Sequence, residues 1–376
     1  MNILSLTNEF EEEMYGGAGT AVTGMLYMLD TQGVKQTVVV PRSDWSTSRW
    51  VLKGQQLRML GIPRNARYFG RLGMLNIDTV LSEFPELKQP YDLIHIHAIN
   101  FTPLAYTLAN ARLPILYSVY SFMRRELGES ADADLQAQFR IQDDLLLRSQ
   151  KIHLLSQSEK HYFASRYSQS LSKAEVLPLG ISHPRQSWHK GNSNRFLYAG
   201  RLVEYKGIED LIKAVFLAKQ GGRQVYLDIM GRGDDYYEQH LQVLVRTMKL
   251  GQNIRFLGWK KAGAEVTQSM VGALALVVPS WREAFGLTAL EGMAAGVPLI
   301  VSRAGGLAEL ADSSCALTFE AGNVQKLAQV LGTALEKPEL LSMLAQRARA
   351  RALSLEWGNL APRYLHTYRQ VIQLKR

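Results

Sequence analysis

Short apolar runs of strand length recur along the whole chain, each followed by a glycine-rich or polar turn and then by an amphipathic stretch. Such alternation builds parallel sheets covered by helices, because a parallel strand needs a crossover before its neighbour is reached. In the first half the strand candidates are NILSLT (2–7), KQTVVVP (35–41), YDLIHIHA (91–98), PILYSVY (114–120) and KIHLLSQS (151–158). The helical stretch TAVTGMLYMLDTQG follows the first of them and closes at Gly33. The pattern breaks once, at ISHPRQSWHKGNSNR (181–195), which is rich in Pro, Gly, Ser and Asn;. It restarts with FLYAGRL (196–202), VYLDIMGRG (225–233), IRFLGW (254–259), LALVVPS (274–280) and PLIVSRAGG (298–306). The expectation is an α/β protein of two Rossmann-like, doubly wound parallel-sheet domains, 1–183 and 184–357;.

The longest apolar runs, such as ALALVV (273–278), are strand-sized and far short of a membrane span;. MNILSLT lacks the basic start of a secretory signal, and the single cysteine, Cys315, rules out an internal disulfide framework;. A cytoplasmic location is expected. The net charge of +9 is concentrated in part at residues 42–71, where Arg42, Arg49, Lys53, Arg58, Arg64, Arg67 and Arg71 face one acid, Asp44. With Trp45, Trp50, Tyr68 and Phe69 interleaved, this stretch reads either as a solvated basic face or as a surface for anionic lipid at the inner membrane, or for an anionic acceptor;. No nucleic-acid motif accompanies it, and nucleic acid is not an expected partner.

Open parallel sheets bind ligands beyond the carboxyl ends of their strands, so the residues just after each strand carry the functional information. In YAGRLVEYKGIEDLIKAV (198–215), Arg201 and Lys206 follow a strand and Gly207 precedes a helix. Two cations beside free helix N-terminal amides form a clamp for a diphosphate; a surface ion pair is the structural alternative. EMYGGAGTAVTGM (13–25) is a second glycine loop, in which Gly16, Gly17 and Gly19 permit positive φ and close phosphate approach, or form a plain flexible turn;. His95 and His97 lie two apart on one strand face, without a Cys, Asp or Glu at metal-ligand spacing;. His97, at the strand's end, is the functional candidate or else a satisfied core histidine, and His95 reads as buried. Asp132 and Asp134 resemble a metal-binding acid pair but stand at a helix start, where capping is the expected role;.

SWREAFGLTALEGMAAGVP (280–298) places Glu283 and Glu291 eight positions apart around a small turn. Together with YAGRLVEYKG, LDIMGRG, NIRFLGW and the following PLIVSRAGGLAEL, it resembles the retaining glycosyltransferases of family 4, which have the GT-B fold of two domains facing across a cleft. The resemblance implies that Arg201 and Lys206 grip the diphosphate of a nucleotide-sugar donor and that Glu291 binds its ribose hydroxyls. It also implies that Glu283 approaches the sugar, while Phe285, Gly286 and Leu287 offer backbone N–H groups and Gly231 lines the nucleotide pocket. Gly16 and Gly17 would close over the diphosphate from the other domain, with His97 near the reacting sugar. The last helix, about 358–376, resembles the family's terminal helix that returns to the first domain. Tyr120 stands where the family often has histidine and Leu179 where asparagine is frequent, both toward the acceptor side.

What the family implies is therefore a metal-independent, cofactor-free retaining transfer from a UDP-sugar, or a GDP-sugar, to a hydroxyl acceptor whose identity the sequence leaves open. Closure of the domains would exclude water. A glycogen-like α-glucan synthase, a non-transferring nucleotide-sugar binding protein and an epimerase remain the alternatives.

Overall fold

In the computed structural model the first strand, β1 (Asn2–Leu6), runs between two parallel neighbours and is buried on both faces, as the run NILSL requires;. The structure describes residues 1–374 apart from 12, 13, 15, 110–112, 129, 131, 183–186, 189–193 and 262, and apart from the side chain of residue 264. Two units separate: residues Met1–Gly180 with Trp357–Arg376, and residues Ile181–Glu356. The expected boundary at 183/184 and most of the linker-like stretch 181–195 lie outside the described residues. Trp188, which is described, is fixed within the second unit, its backbone N–H on the Ala295 carbonyl and its indole N–H on the Ala273 carbonyl.

The first unit continues with β2 (Lys35–Arg42), β3 (Arg49–Leu52), β4 (Leu57–Pro63), β5 (Leu93–Ile96), β6 (Ile115–Val119), β7 (Lys151–Leu154) and β8 (Ala174–Val176). Their order is β3-β4-β2-β1-β5-β6-β7-β8, parallel except for the antiparallel edge pair β3–β4. The helix Gly17–Thr31 follows β1, and the C-terminal helix Trp357–Gln373 packs on this same unit, burying Tyr364, Thr367, Tyr368 and Val371.

The stretch 42–71 includes the end of β2, β3 and β4, and Arg49, Arg64, Arg67 and Arg71 in it are exposed. Leu57, Met59, Leu60 and Ile62 are buried, and so is Arg42, at 3% exposure. Its cations are engaged locally. Arg42 pairs with Asp44 at 3.3 Å, Lys53 with Glu11 and Arg67 with Glu83, while Arg49 and Arg58 lie 4.0 and 4.5 Å from the ring centroids of Trp45 and Trp50;.

The second unit holds β9 (Arg195–Ala199), β10 (Tyr226–Met230), β11 (Ile254–Gly258), β12 (Ala275–Val278), β13 (Leu299–Ser302) and β14 (Leu317–Phe319). All pairs are parallel, in the order β11-β10-β9-β12-β13-β14. In each unit the strand order reverses once, between β1 and β5 in the first and between β9 and β12 in the second. At such a reversal the loops after two adjacent strands part in opposite directions and leave a crevice. Among the described residues no helix is long and apolar enough to cross a membrane.

Candidate active site

The crevice of the second unit is built from the loops after β9 and β12. After β9 the chain passes Gly200, Arg201 and a one-turn 3-10 helix, Glu204–Lys206, before Gly207 opens the helix Ile208–Gln220. Gly207 is required twice over. Its φ is +70°, and an added Cβ would stand 2.2 Å from the Pro279 carbonyl oxygen;. That close approach brings the two loops together: Trp281 donates its backbone N–H to the Tyr205 carbonyl at 2.8 Å and its indole N–H to Asp210 at 2.6 Å.

The result is a contact between residues 77 positions apart, Lys206 Nζ donating to Glu283 Oε2 at 2.7 Å. Both side chains are largely buried, at 17% and 15% exposure, and Ser280 Oγ donates to the same carboxylate oxygen at 3.3 Å. Arg201 donates to the Tyr205 hydroxyl, and Arg201 and Lys206 approach the same Tyr205 ring, 5.8 and 5.5 Å from its centroid. The structure thus brings Arg201, Lys206 and Glu283 together around Tyr205, whose organising place its sequence position does not announce.

Glu283 leads through Phe285, which is buried, to Gly286 at φ +102°, the N-cap of the helix Leu287–Ala294. A Cβ on Gly286 would meet Leu307 at 2.9 Å, so glycine is again dictated by both φ and space. The first turn of this helix carries no acidic residue and Gly286 supplies no side-chain cap, so its first amides lack an acceptor from the N-cap side chain;. Glu291 occupies the second turn, half-buried, and burial lifts its carboxyl to about 7;. Gly231, after β10, has φ +153° and packs so close to the Gly200 carbonyl that a Cβ would come within 1.8 Å of its oxygen.

Gly16, Gly17 and His97 belong to the first unit. The glycine loop differs from expectation. Gly16 has φ −162°, which is extended backbone open to any residue, and Gly17 already lies in the helix Gly17–Thr31. The tight position is Gly19, where a Cβ would stand 2.5 Å from Glu9 Oε2. Glu13 and Tyr15 of the same loop lie outside the described residues. Asp132 caps its helix through the Leu135 N–H at 2.7 Å, and Asp134 pairs with Arg71 at 2.6 Å.

His97, just beyond β5, lines a cavity of about 290 Å³ with residues from the loops after β1 and β6. Its Nδ1 stands 3.1 Å from the Tyr120 hydroxyl, and its Nε2 is buried with no hydrogen-bond partner among the described residues. His95 is fully buried and saturated, with Nδ1 on the Tyr368 hydroxyl at 2.8 Å and Nε2 on Ser118 Oγ at 2.7 Å. Ser118 continues to His153 Nδ1 at 2.7 Å, and His153 Nε2 reaches the Leu177 carbonyl at 2.6 Å. Desolvation holds His97 at about 3 and His153 at about 4, and the neighbouring imidazole of His153 pushes His97 further the same way. All three rings are therefore neutral at ordinary pH.

The family description "Glycosyl transferases group 1" matches residues 182–351, and "Glycosyl transferase 4-like domain" matches residues 16–180. The D-inositol 3-phosphate glycosyltransferase of Corynebacterium glutamicum is 23% identical, over 95% of this chain and 92% of its own. Among solved structures, sucrose-phosphate synthase from Thermosynechococcus elongatus superposes with a TM-score of 0.80 at 20% identity, covering all of both chains. Anabaena Alr3699/HepE, solved in complex with UDP-glucose, superposes with a TM-score of 0.75 at 18% identity, over 98% of this chain and 100% of its own. Two parallel-sheet α/β units and these superpositions give the GT-B fold. By these two matches the second unit belongs to the group 1 glycosyl transferases, and the first unit is a glycosyl transferase 4-like domain.

Proposed function

We propose that the chain is a metal-independent, retaining glycosyltransferase that moves a sugar from a nucleoside-diphosphate sugar, UDP ahead of GDP, to a hydroxyl acceptor. The observation that carries this reading is the meeting of Lys206, Arg201 and Glu283 at the strand-order reversal of the second unit, beside an uncapped helix N-terminus. The UDP-glucose complex of Alr3699/HepE supports the choice of base.

In transfer the anomeric C–O bond to the diphosphate breaks, and its electron pair leaves with the phosphate oxygen. The acceptor oxygen forms the new bond on the same face, and its proton passes to a phosphate oxygen of the leaving group. The growing charge is what Arg201, Lys206 and the amides of Phe285, Gly286 and Leu287 meet; contacts that strengthen as charge develops lower the barrier. Glu283 holds the Lys206 ammonium in place and stands ready for a sugar hydroxyl, and Glu291 takes the ribose hydroxyls. With no ligand bound, the Lys206–Glu283 pair keeps both charges compensated in a largely buried site;.

Lys206→Ala removes one such cation, and loss of a single preorganised charge-stabilising group lowers kcat by about 10²–10³. The check is product formation from UDP-glucose, with a glucan primer as one acceptor arm, alongside circular dichroism for folding. Full activity in a folded Lys206→Ala variant refutes the reading.

A further inference from the structure

We propose that the cavity beside His97 takes an uncharged, polyhydroxylated acceptor, a sugar or polyol with no phosphate on the part that enters. The inference rests on the transferase reading and adds the chemical class of its second substrate.

The polar lining is made of neutral groups: Thr7, Asn8, His97, Asn100, Tyr120 and Gln138. Among the lining residues the one formal charge is a carboxylate, Glu9. A phosphate held here would need cations or helix amides, but the lining holds no cation and a carboxylate stands at the helix start. The helix Gly17–Thr31 directs its N-terminus toward this region, but the Gly16 N–H already donates to Glu9 Oε2 at 3.1 Å. Glu9 Oε2 also stands 2.5 Å from where a Cβ on Gly19 would be, so the chain's own negative charge occupies the approach to this helix start and opposes a second anion;.

Three cations close in sequence to lining residues are paired with acids. Arg71 is on Asp134 at 2.6 Å, Arg124 on Asp143 at 3.2 Å and Arg125 on Glu159 at 2.5 Å. Arg64, which donates to the Asn8 carbonyl at 3.4 Å, is exposed and stands outside the lining.

What the cavity does offer suits hydroxyl groups. His97 Nε2 is buried without a partner among the described residues, and a hydroxyl satisfies it in either tautomer because it both donates and accepts;. The imidazole next to the entering group is neutral, so it adds no attraction for an anion. Asn8 Nδ2 donates to Asn100 Oδ1 at 2.7 Å and Asn100 Nδ2 to the Gly73 carbonyl at 2.9 Å, an arrangement that fixes both amides and leaves the Asn8 side-chain carbonyl oxygen to accept from a hydroxyl;.

The test uses the full chain, UDP-glucose and matched acceptors: glucose with glucose 6-phosphate, fructose with fructose 6-phosphate, myo-inositol with inositol 1-phosphate. Product is read by mass spectrometry and acceptor binding by saturation-transfer NMR. At least one neutral member is expected to be glycosylated, with kcat/KM about tenfold or more above its phosphate ester. Glu9→Gln, which keeps an oxygen for the Gly16 N–H, is expected to narrow that ratio about threefold or more, and Arg64→Gln to leave it unchanged. Preference for a phosphate ester, a ratio indifferent to Glu9→Gln, a ratio that moves with Arg64→Gln, or no binding of any neutral member overturns the proposal. Thermal shift with UDP and GDP separates the two claims: stabilisation without acceptance of neutral polyols sinks the acceptor inference alone, and no stabilisation by either counts against transfer itself.

Discussion

Glu291 gives a pH test of the donor assignment. Burial holds its carboxyl at about 7, well above the ordinary 4.5;. Ribose hydroxyls donating to it would favour the ionised form and draw the group back toward 4.5. Below both values the carboxyl is protonated with or without ligand, and above about 7 it is ionised in both states, so the gain in affinity grows as pH rises between them. A full return is a gain of about 300-fold, of which roughly tenfold falls between about pH 6 and pH 8. UDP-glucose is the suitable ligand because its diphosphate diester has no group titrating in that window. His97 and His153, at about 3 and about 4, do not titrate there either. Calorimetric titration is expected to show Kd falling about tenfold from about pH 6 to 8 in the wild type and staying level in Glu291→Gln. Folding carries the opposite sign: the folded chain keeps this proton up to about 7 while the unfolded chain releases it near 4.5. The ionisation cost is therefore absent below 4.5 and fully present above about 7, at most ~3 kcal/mol. A wild-type Kd that does not change with pH, or a slope that survives in Glu291→Gln, refutes the placement of ribose on this carboxylate.

Gly207→Ala forces a Cβ to within 2.2 Å of the Pro279 carbonyl oxygen at φ +70°. It should cost about 2 kcal/mol or more in thermal unfolding and weaken nucleotide binding by displacing Lys206. Tyr368→Phe removes the hydroxyl from His95 Nδ1 and leaves a buried acceptor unpaired, an expected loss of about 1–3 kcal/mol measured by denaturant unfolding of the intact chain;. Asp132→Ala deletes the cap on the Leu135 N–H, at about 1 kcal/mol, read as faster amide exchange in the first turn of the helix Ala133–Arg148;.

The second sheet was legible because its strands are buried on both faces and read as unbroken apolar runs, as in ALVV and LIVS;. β3 and β4 were hidden for the opposite reason. RWVL and LRMLGIP mix arginine with apolar residues, and only in three dimensions does the Arg58 guanidinium cover the Trp50 ring and donate to Thr37;. The start of the helix Gly17–Thr31 was misplaced because glycine is a poor helix former, whereas here Gly19 is demanded by the approach of Glu9;. The candidate residues stood out by type and spacing, but their partners did not. Lys206 and Glu283 meet across 77 positions and His95 and Tyr368 across 273, distances on which periodicity is silent.

That last pairing separates two histidines which spacing alone makes equivalent. The Leu177 carbonyl can only accept, so His153 carries its proton on Nε2 and accepts from Ser118 on Nδ1;. Ser118 Oγ, having donated, accepts from His95 Nε2, and His95 Nδ1 must then accept from the Tyr368 hydroxyl. The chain of bonds runs in one direction and leaves His95 nothing to offer a ligand. His97, with its ring centroid 3.8 Å from that of His95, rests against a side chain already fixed from both ends. Burial and the His153 imidazole disfavour charge on His97, which stays neutral and keeps one nitrogen without a partner among the described residues;. The C-terminal helix thus acts on the pair from outside the cavity lining: by saturating His95 it leaves His97 as the histidine of this pair able to bind a hydroxyl.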